Sequence, residues 1–342
     1  MRALVFTGNE QAEVRELPDP TPGPDEVLLA MRASGLCGSD MHDYRAPPER
    51  LQARPVPVVP GHEPSGVVAE VGTGVSNVEV GDRVSVYHWQ GCGMCERCRG
   101  GYAQWCPHAT AYSIHHPGAH ADLMVVKARD CLPLPDDLTY ATGAYIACGV
   151  GTGWSALRKL DPGPEDTLAV FGLGPIGLAA IALAAPMGCR IIGVGRRAAR
   201  VEAARKVGVD EIIDIDQCDD VPAALADFTA GGPTLAYETS GAASAHQWLM
   251  ASLARAGKAV FVAPNPEPTI SIPPAIGKEL VLMGSFVMPV QEFWPLTRFL
   301  IRHAVPIDEL VSHRFPLDQG PEAYRVFDSS ECAKVIIEWP DR

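Results

Sequence analysis

From Thr167 onward the chain alternates short apolar runs with alanine-rich stretches, and that alternation limits the second half to one kind of architecture. Leu168-Ala169-Val170-Phe171 reads as a buried strand, Leu178 to Ala185 as a helix, and Arg190 to Val194 as a second strand. Ala198 to Lys206 reads as a second helix and Glu211-Ile212-Ile213-Asp214 as a third strand. Strands alternating with helices are joined by crossovers, which build a doubly wound parallel sheet with helices on both faces. Between the first strand and the first helix lies Gly172-Leu173-Gly174-Pro175-Ile176-Gly177. A lone run of this kind is often only a glycine-rich turn. Here it follows a strand, opens a helix and has a second strand about twenty residues on, which is the context of a dinucleotide site. The glycines allow a tight turn and let a pyrophosphate approach the helix N-terminus. One departure is Pro186, where proline should kink or end the helix.

Residues 1–150 have a different texture, with short β-type runs punctuated by Pro and Gly, such as Glu26-Val27-Leu28-Leu29, Gly66 to Val71 and Asp82 to Val86. Even spacing of this kind predicts an irregular β-rich domain or barrel. The mixed elements of residues 287–342 are expected to rejoin it, leaving 151–286 as the dinucleotide-binding domain. The sequence has 342 residues, 47% of them apolar and 20% charged, and so fits two soluble domains. The Met1-Arg2-Ala3-Leu4-Val5-Phe6 start reads as a strand rather than a signal peptide. No apolar run reaches the roughly 20 residues of a membrane span. A net charge of −13 argues against nucleic acid, which selects basic surfaces. The partner expected is a small molecule.

The ten cysteines, with no secretory signal, point to a reducing cytoplasm, where grouped thiols bind metal more often than they form disulfides. Cys92, Cys95, Cys98 and Cys106 crowd into one loop and can wrap a single tetrahedral Zn²⁺ with no position left for substrate, a structural site. Two disulfides or an iron–sulfur cluster are the competing readings, and spacing and compartment favour zinc. A second set is dispersed. Cys37 lies in Gly35-Leu36-Cys37-Gly38-Ser39-Asp40-Met41-His42, His62 in Gly61-His62-Glu63-Pro64, and Cys148 in Ala147-Cys148-Gly149-Val150. One imidazole and two thiolates make the three-ligand site of a catalytic zinc. Singly, each has a bland explanation, Cys148 as a small buried hydrophobe and His62 as a satisfied core histidine. Spacing alone cannot unite them.

Taken together, the Gly-His-Glu motif, the preceding Cys-x-Ser-Asp-x-His segment, the four-cysteine lobe, the stretch Gly61 to Val84 and the later glycine run resemble the medium-chain zinc alcohol dehydrogenase family over essentially the whole chain. The resemblance implies a GroES-like catalytic domain interrupted by a Rossmann domain, with the active site in the cleft between them. It makes Cys37, His62 and Cys148 the ligands of a catalytic zinc, beside the structural zinc of Cys92, Cys95, Cys98 and Cys106, so two zinc ions per chain. Glu63 would sit behind the metal, Asp40 would hydrogen-bond His62, Ser39 would contact the substrate oxygen, and His42 would pass its proton to solvent. Thr152, Pro175 and Ile176, with Gly172, Gly174 and Gly177, fall at cofactor-contacting positions. The Phe286 backbone would bind the carboxamide, and Lys334 matches a basic cofactor-binding residue. Ser39, Tyr44, His88, Trp89, Ile114, His115 and His116 would line the substrate pocket. Gly38 replaces the Arg or His that some relatives carry after the first ligand cysteine, so one pyrophosphate contact is missing.

The second strand ends in Gly195-Arg196-Arg197, with Arg200 one turn later, where an NAD site would carry Asp or Glu. Without that carboxylate a 2′-phosphate is not repelled, and a guanidinium can grip it, so NADP(H) is expected over NAD(H). The alternative is a solvated pair of arginines at a helix start. Leu280 to Phe286 reads as the last, apolar strand at the sheet edge, and the family's way of pairing this strand implies a homodimer or homotetramer. Substrates left open are secondary alcohols, polyols and primary alcohols, with reversible carbonyl reduction. Two rival readings remain, an alkene reductase on the same scaffold and a non-catalytic cofactor-binding protein.

Overall fold

The computed structural model describes residues 1–54, 57–264 and 270–340. The chain forms two units, one of Met1–Gly151, Pro289–Thr297 and Val311–Arg342 and one of Thr152–Met288 and Arg298–Leu310. The segment 298–310, expected with the C-terminal return, belongs instead to the second unit. Its apolar side chains explain the difference, because the Phe299 ring lies 5.0 Å from Trp154 and Leu310 is fully buried.

The second unit is the doubly wound sheet. Six parallel strands, Thr167–Phe171, Arg190–Gly195, Glu211–Asp214, Leu235–Glu238, Lys258–Phe261 and Val281–Gly284, stand in the order 3-2-1-4-5-6. Leu168, Ala169, Val170 and Phe171 are all buried, as expected for a central parallel strand covered on both faces. The helix Pro175–Ala184 ends just before Pro186, which sits in the 3-10 turn Ala185–Met187. Proline lacks the donor and clashes with the preceding turn, so the helix closes there. Two glycines are required by the geometry. Gly172 has φ +100°, and a Cβ on Gly177 would lie 1.9 Å from the Gly172 carbonyl oxygen, where the helix presses onto the turn. The edge strand Val281–Gly284 pairs on one side only, with Lys258–Phe261, among the described residues.

The first unit is built around Glu26–Gly35, which pairs antiparallel with Lys334–Glu338, Glu63–Val71 and Leu123–Lys127. The C-terminal strand thus sits beside a strand from near the N-terminus. Leu29, Met31, Val68, Val84, Val126 and Ile337 fill the core between the sheet and its covering elements. The helix Gly320–Asp328 adds Tyr324, which packs against Phe6 and Tyr44 at ring separations of 4.8 and 5.3 Å.

One buried acid ties the loops of this unit together. Asp130 accepts a hydrogen bond from the Tyr112 hydroxyl at 3.0 Å, and that hydroxyl accepts one from the Lys127 amide at 2.9 Å. Burial pushes the Asp130 carboxyl up to about 7, against the Arg129 charge and the Tyr112 hydrogen bond. The raised acid stabilises the fold fully below the ordinary carboxylate range, and that contribution is lost as pH rises through 7. Asp130→Asn keeps an acceptor for Tyr112 and removes the charge. Its melting temperature should match the parent near or below about pH 4 and exceed it increasingly as pH rises, by about 2–4 °C for each kcal/mol of ionisation cost, levelling off above pH 7. A difference that stays constant across pH would show that Asp130 does not titrate there.

Candidate metal and cofactor sites

Three separated segments deliver one donor set. Cys37 lies just past the strand Glu26–Gly35, and His62 just before Glu63–Val71. Strand pairing sets Gly35 opposite Glu63, which brings the Cys37 and His62 side chains together. Cys148 sits in the π-helical turn Ile146–Val150, a local widening that takes its side chain out of the α-helical register. One donor atom from each of Cys37, His62, Glu63 and Cys148 lies within 4.8 Å of all the others.

The electrostatics fit a metal. The hydrogen bond with Cys148 holds the Cys37 thiol well below the ordinary range, with burial opposing and His62 assisting, and the same bond pushes Cys148 well up. Burial works against a charged His62, but Asp40 and then Cys37 raise it well above the usual imidazole. Asp40 Oδ1 lies 3.0 Å from His62 Nδ1, while its Oδ2 accepts the Cys37 amide at 2.9 Å. With Nδ1 committed to Asp40, Nε2 is the nitrogen left for a metal, and Ser39 Oγ stands 3.3 Å from it. Glu63 Oε2 is held by the Lys334 ammonium, and Oε1 is buried with no hydrogen-bond partner. Burial pushes the Glu63 carboxyl up, and Lys334 pulls it back. Two sulfurs, an imidazole and an orphaned carboxylate oxygen are a zinc donor set.

The four-cysteine lobe fits a second ion. Sulfur separations are 3.5 Å for Cys95–Cys98, 3.8 Å for Cys95–Cys106 and 4.0 Å for Cys92–Cys98. Four sulfurs about 2.3 Å from a tetrahedral centre lie about 3.8 Å apart, whereas a disulfide needs about 2.05 Å. All ten cysteines are free, so the disulfide reading does not hold. Backbone amides of Met94 and Cys95 pull Cys92 down to about 6, toward the thiolate a metal takes. In the second unit the turn at Gly172 opens directly into the helix Pro175–Ala184, with Gly174 as its N-cap. Thr239 Oγ1, which the sequence did not single out, donates at 2.9 Å to the Gly172 carbonyl and at 3.2 Å to that of Phe171.

Comparison with known proteins agrees with this geometry. A model of the alcohol dehydrogenase GroES-like domain matches residues 23–136, and one of the zinc-binding dehydrogenase domain matches residues 175–302. The zinc-type alcohol dehydrogenase-like protein YphC of Escherichia coli K12 is 33% identical over 350 residues, covering 100% of this chain and 99% of its own. The chain belongs to the medium-chain zinc alcohol dehydrogenase family. The L-threonine 3-dehydrogenase of Salmonella newport is 30% identical over 344 residues, 99% of this chain and 100% of that protein. Among solved structures, the alcohol dehydrogenase TADH from Thermus sp. ATN1 superposes with a TM-score of 0.88 at 27% identity, over 99% of each chain.

The remaining residues expected from this family divide. Ser39 and Ile114 line one small cavity with His62. His88 is buried with its ring 5.3 Å from His62, its Nδ1 donates to the Ala147 carbonyl at 2.7 Å, and burial pushes it down to about 3. Trp89 is half-buried in the short pairing with Thr110–Ala111. Tyr44 is not a pocket residue. It lies in the aromatic core, because its short helix turns that face onto Phe6 and Tyr324. His115 and His116 are exposed and line no part of the cavity beside His62. They spend ring nitrogens on their own loop, with the Ala111 amide at 3.0 Å and Thr110 Oγ1 at 3.2 Å. Lys334 does not present a free ammonium to a cofactor. It is wholly buried, bonded to Glu63 and to the Leu36 carbonyl at 2.8 Å, above the Tyr145 ring at 4.5 Å. His42 Nε2 is within 2.6 Å of Arg50 Nη2. Thr152 is buried, and its carbonyl accepts the Tyr237 hydroxyl at 3.3 Å. Phe286 is half-exposed and Ile176 partly so. Gly195 ends its strand buried, while Arg196 pairs with Asp216 at 3.5 Å, both side chains half-exposed. Arg197 caps the following helix at φ 80°, and Arg200 lies in its first turn.

Proposed function

We propose that the protein is a zinc-dependent dehydrogenase that moves hydride between an alcohol and a nicotinamide cofactor, reversibly and with NADP(H) preferred. The observation that carries this is the convergence of Cys37, His62, Cys148 and Glu63 within 4.8 Å beside the Ser39 hydroxyl. Cys37, His62 and Cys148 would hold one zinc and the four-cysteine lobe a second. The first supplies a Lewis acid that acidifies a hydroxyl or polarises a carbonyl. Ser39 takes the substrate proton, and His42 carries it outward. Because His42 Nε2 accepts from Arg50, the neutral ring carries its own proton on Nδ1, so taking up another at Nε2 displaces the guanidinium. Lys334 holds a countercharge at Glu63, which keeps a carboxylate oxygen available behind the ligand set. Neutral His88 adds an uncharged polar wall beside His62. The N-terminus of Pro175–Ala184 receives the pyrophosphate, with Thr152, Ile176 and the Phe286 backbone at nicotinamide-contacting positions.

A substrate with its hydroxyl on a secondary carbon is supported by the L-threonine 3-dehydrogenase relative. Val281 and Phe286 expose large apolar surface at the open sheet edge, which supports assembly through that edge into a homodimer or homotetramer. The test is turnover of fully metallated protein with secondary alcohols, diols, primary alcohols and enones, alongside its zinc content and light-scattering mass. Oxidation of an alcohol, two zincs per chain and a mass of two or four chains are expected. Turnover confined to enones, or none with any alcohol, would sink the assignment.

A further inference from the structure

The strand order 3-2-1-4-5-6 reverses between the first and fourth strands, and ligands of open parallel sheets bind beyond the carboxyl ends at such a point. One wall there is the glycine turn after Thr167–Phe171. The other is the loop 239–242, which joins Leu235–Glu238 to the helix Ala243–Ser252. This loop turns its polar groups inward. Glu238 is wholly buried, and its Oε1 accepts from the Ser240 amide at 2.7 Å, the Ser240 hydroxyl at 2.5 Å and the Gly241 amide at 2.9 Å. The Ser240 oxygen accepts in turn from the Ala242 amide at 3.1 Å. Thr239 gives its own amide to the Phe171 carbonyl at 2.9 Å. All four loop amides are thereby committed. Behind the carboxylate, Oε2 faces His246 Nε2 at 3.5 Å, and the His246 ring stands edge-on to Phe261.

What the loop presses on is the glycine turn. A Cβ on Gly172 would lie 2.6 Å from Thr239 Oγ1 and 3.0 Å from the Ser240 amide nitrogen. A Cβ on Gly177 would lie 3.1 Å from the same hydroxyl. On the far side, Gly241 at φ +66° would place a Cβ 3.0 Å from the Pro264 carbonyl oxygen. The loop is thus wedged between the turn and the segment after the fifth strand. Both walls meet at the Gly172 carbonyl, which the Thr239 hydroxyl holds at 2.9 Å and against which Gly177 packs. The direction of that carbonyl sets how the turn enters the helix Pro175–Ala184 and where the first helical amides point.

We propose that Glu238 and Thr239 are positioning residues for the dinucleotide turn, the carboxylate fixing the 239–242 loop and the Thr239 hydroxyl carrying its position to Gly172. This rests on the reading of Gly172 to Gly177 as the pyrophosphate site. The pyrophosphate is common to NAD⁺ and NADP⁺, so the device acts on both cofactors alike, whereas Arg196 acts at the 2′ position only.

The test is equilibrium titration of the zinc-loaded protein with NADP⁺ and with NAD⁺, alongside steady-state kinetics and melting temperature. Thr239→Val keeps the side-chain shape and deletes the hydroxyl. It should weaken both cofactors by about tenfold, the worth of one well-placed hydrogen bond, and raise the cofactor KM far more than it lowers kcat. Glu238→Ala, which orphans three donors, should cost at least as much. Glu238→Gln, whose side-chain oxygen still accepts, should recover most of that loss. Ser240→Ala removes one of the three donors at an exposed position and should give a smaller loss of the same kind, which decides the role of the carboxylate even if Glu238→Ala fails to fold. Parent-like cofactor affinity in folded Thr239→Val and Ser240→Ala proteins would overturn the proposal. So would a loss confined to one cofactor, or a fall in kcat that merely follows a lowered melting temperature with KM unmoved. If the parent binds neither dinucleotide, the cofactor reading itself fails and takes the proposal with it.

Discussion

Cys37→Ser is expected to lower kcat by about a thousandfold or more, because a Lewis acid supplies several kcal/mol and each tenfold in rate is about 1.4 kcal/mol. The fold should survive, since Cys37 lies at the end of a strand anchored by three neighbouring strands. Cys98→Ser should do the reverse. Its lobe has only the four-residue helix Glu96–Arg99 and the 3-10 turn Ala103–Trp105 as regular structure, with Met94 and Trp105 exposed. A segment with so little core draws its stability from the metal, whose binding energy is folding energy. The variant should lose one zinc and melt earlier, by about 2–4 °C per kcal/mol lost, while the folded fraction turns over at a rate near the parent's. Turnover retained in Cys37→Ser would remove the catalytic assignment. A Cys98→Ser protein that keeps its melting temperature and loses activity would exchange the two roles.

What the sequence made legible follows the range of the forces involved. The first three Rossmann strands and the helix Ala198–Lys206 stand where the sequence pattern put them, because a strand or helix face is set by neighbours a few residues away. The four cysteines were legible for the same reason, all ligands coming from one loop. The dispersed donor set of Cys37, His62 and Cys148 was legible only through family resemblance. Their meeting depends on Gly35 pairing with Glu63 and on the π turn at Cys148, neither of which has a local signature. Tertiary partners also decided the misplaced residues. Tyr44 went to the aromatic core and Lys334 turned inward to Glu63, each side chain following a partner distant in sequence.

NADP⁺ is expected to exceed NAD⁺ in kcat/KM by roughly tenfold, and the margin is set by competition for Arg196. A contact between a guanidinium and a phosphate contributes about 1.5–3 kcal/mol. In the free protein Arg196 is already paired with Asp216 at 3.5 Å, although both side chains are about half exposed. An exposed pair of that kind contributes about 0–1 kcal/mol, so the phosphate wins by a smaller margin than an unpaired arginine would give. Asp216→Asn should therefore widen the NADP⁺ preference by freeing the guanidinium and removing a negative charge beside it. Reversal needs a carboxylate at position 195, and the structure adds a condition that the strand pattern did not reveal. A Cβ on Gly195 would meet Leu173 Cγ at 2.6 Å, so the leucine of the glycine loop must swing away before an aspartate can reach the ribose. Gly195→Asp with Arg196→Ile should move preference to NAD⁺ at some cost in stability, and adding Leu173→Ala should recover part of that cost. Zinc content should be the same in all of these variants, which separates a cofactor effect from damage to the metal sites. Equal or better use of NAD⁺ by the unmodified protein would mean that Arg196 stays with Asp216 and that the guanidiniums at this helix start serve only the surface.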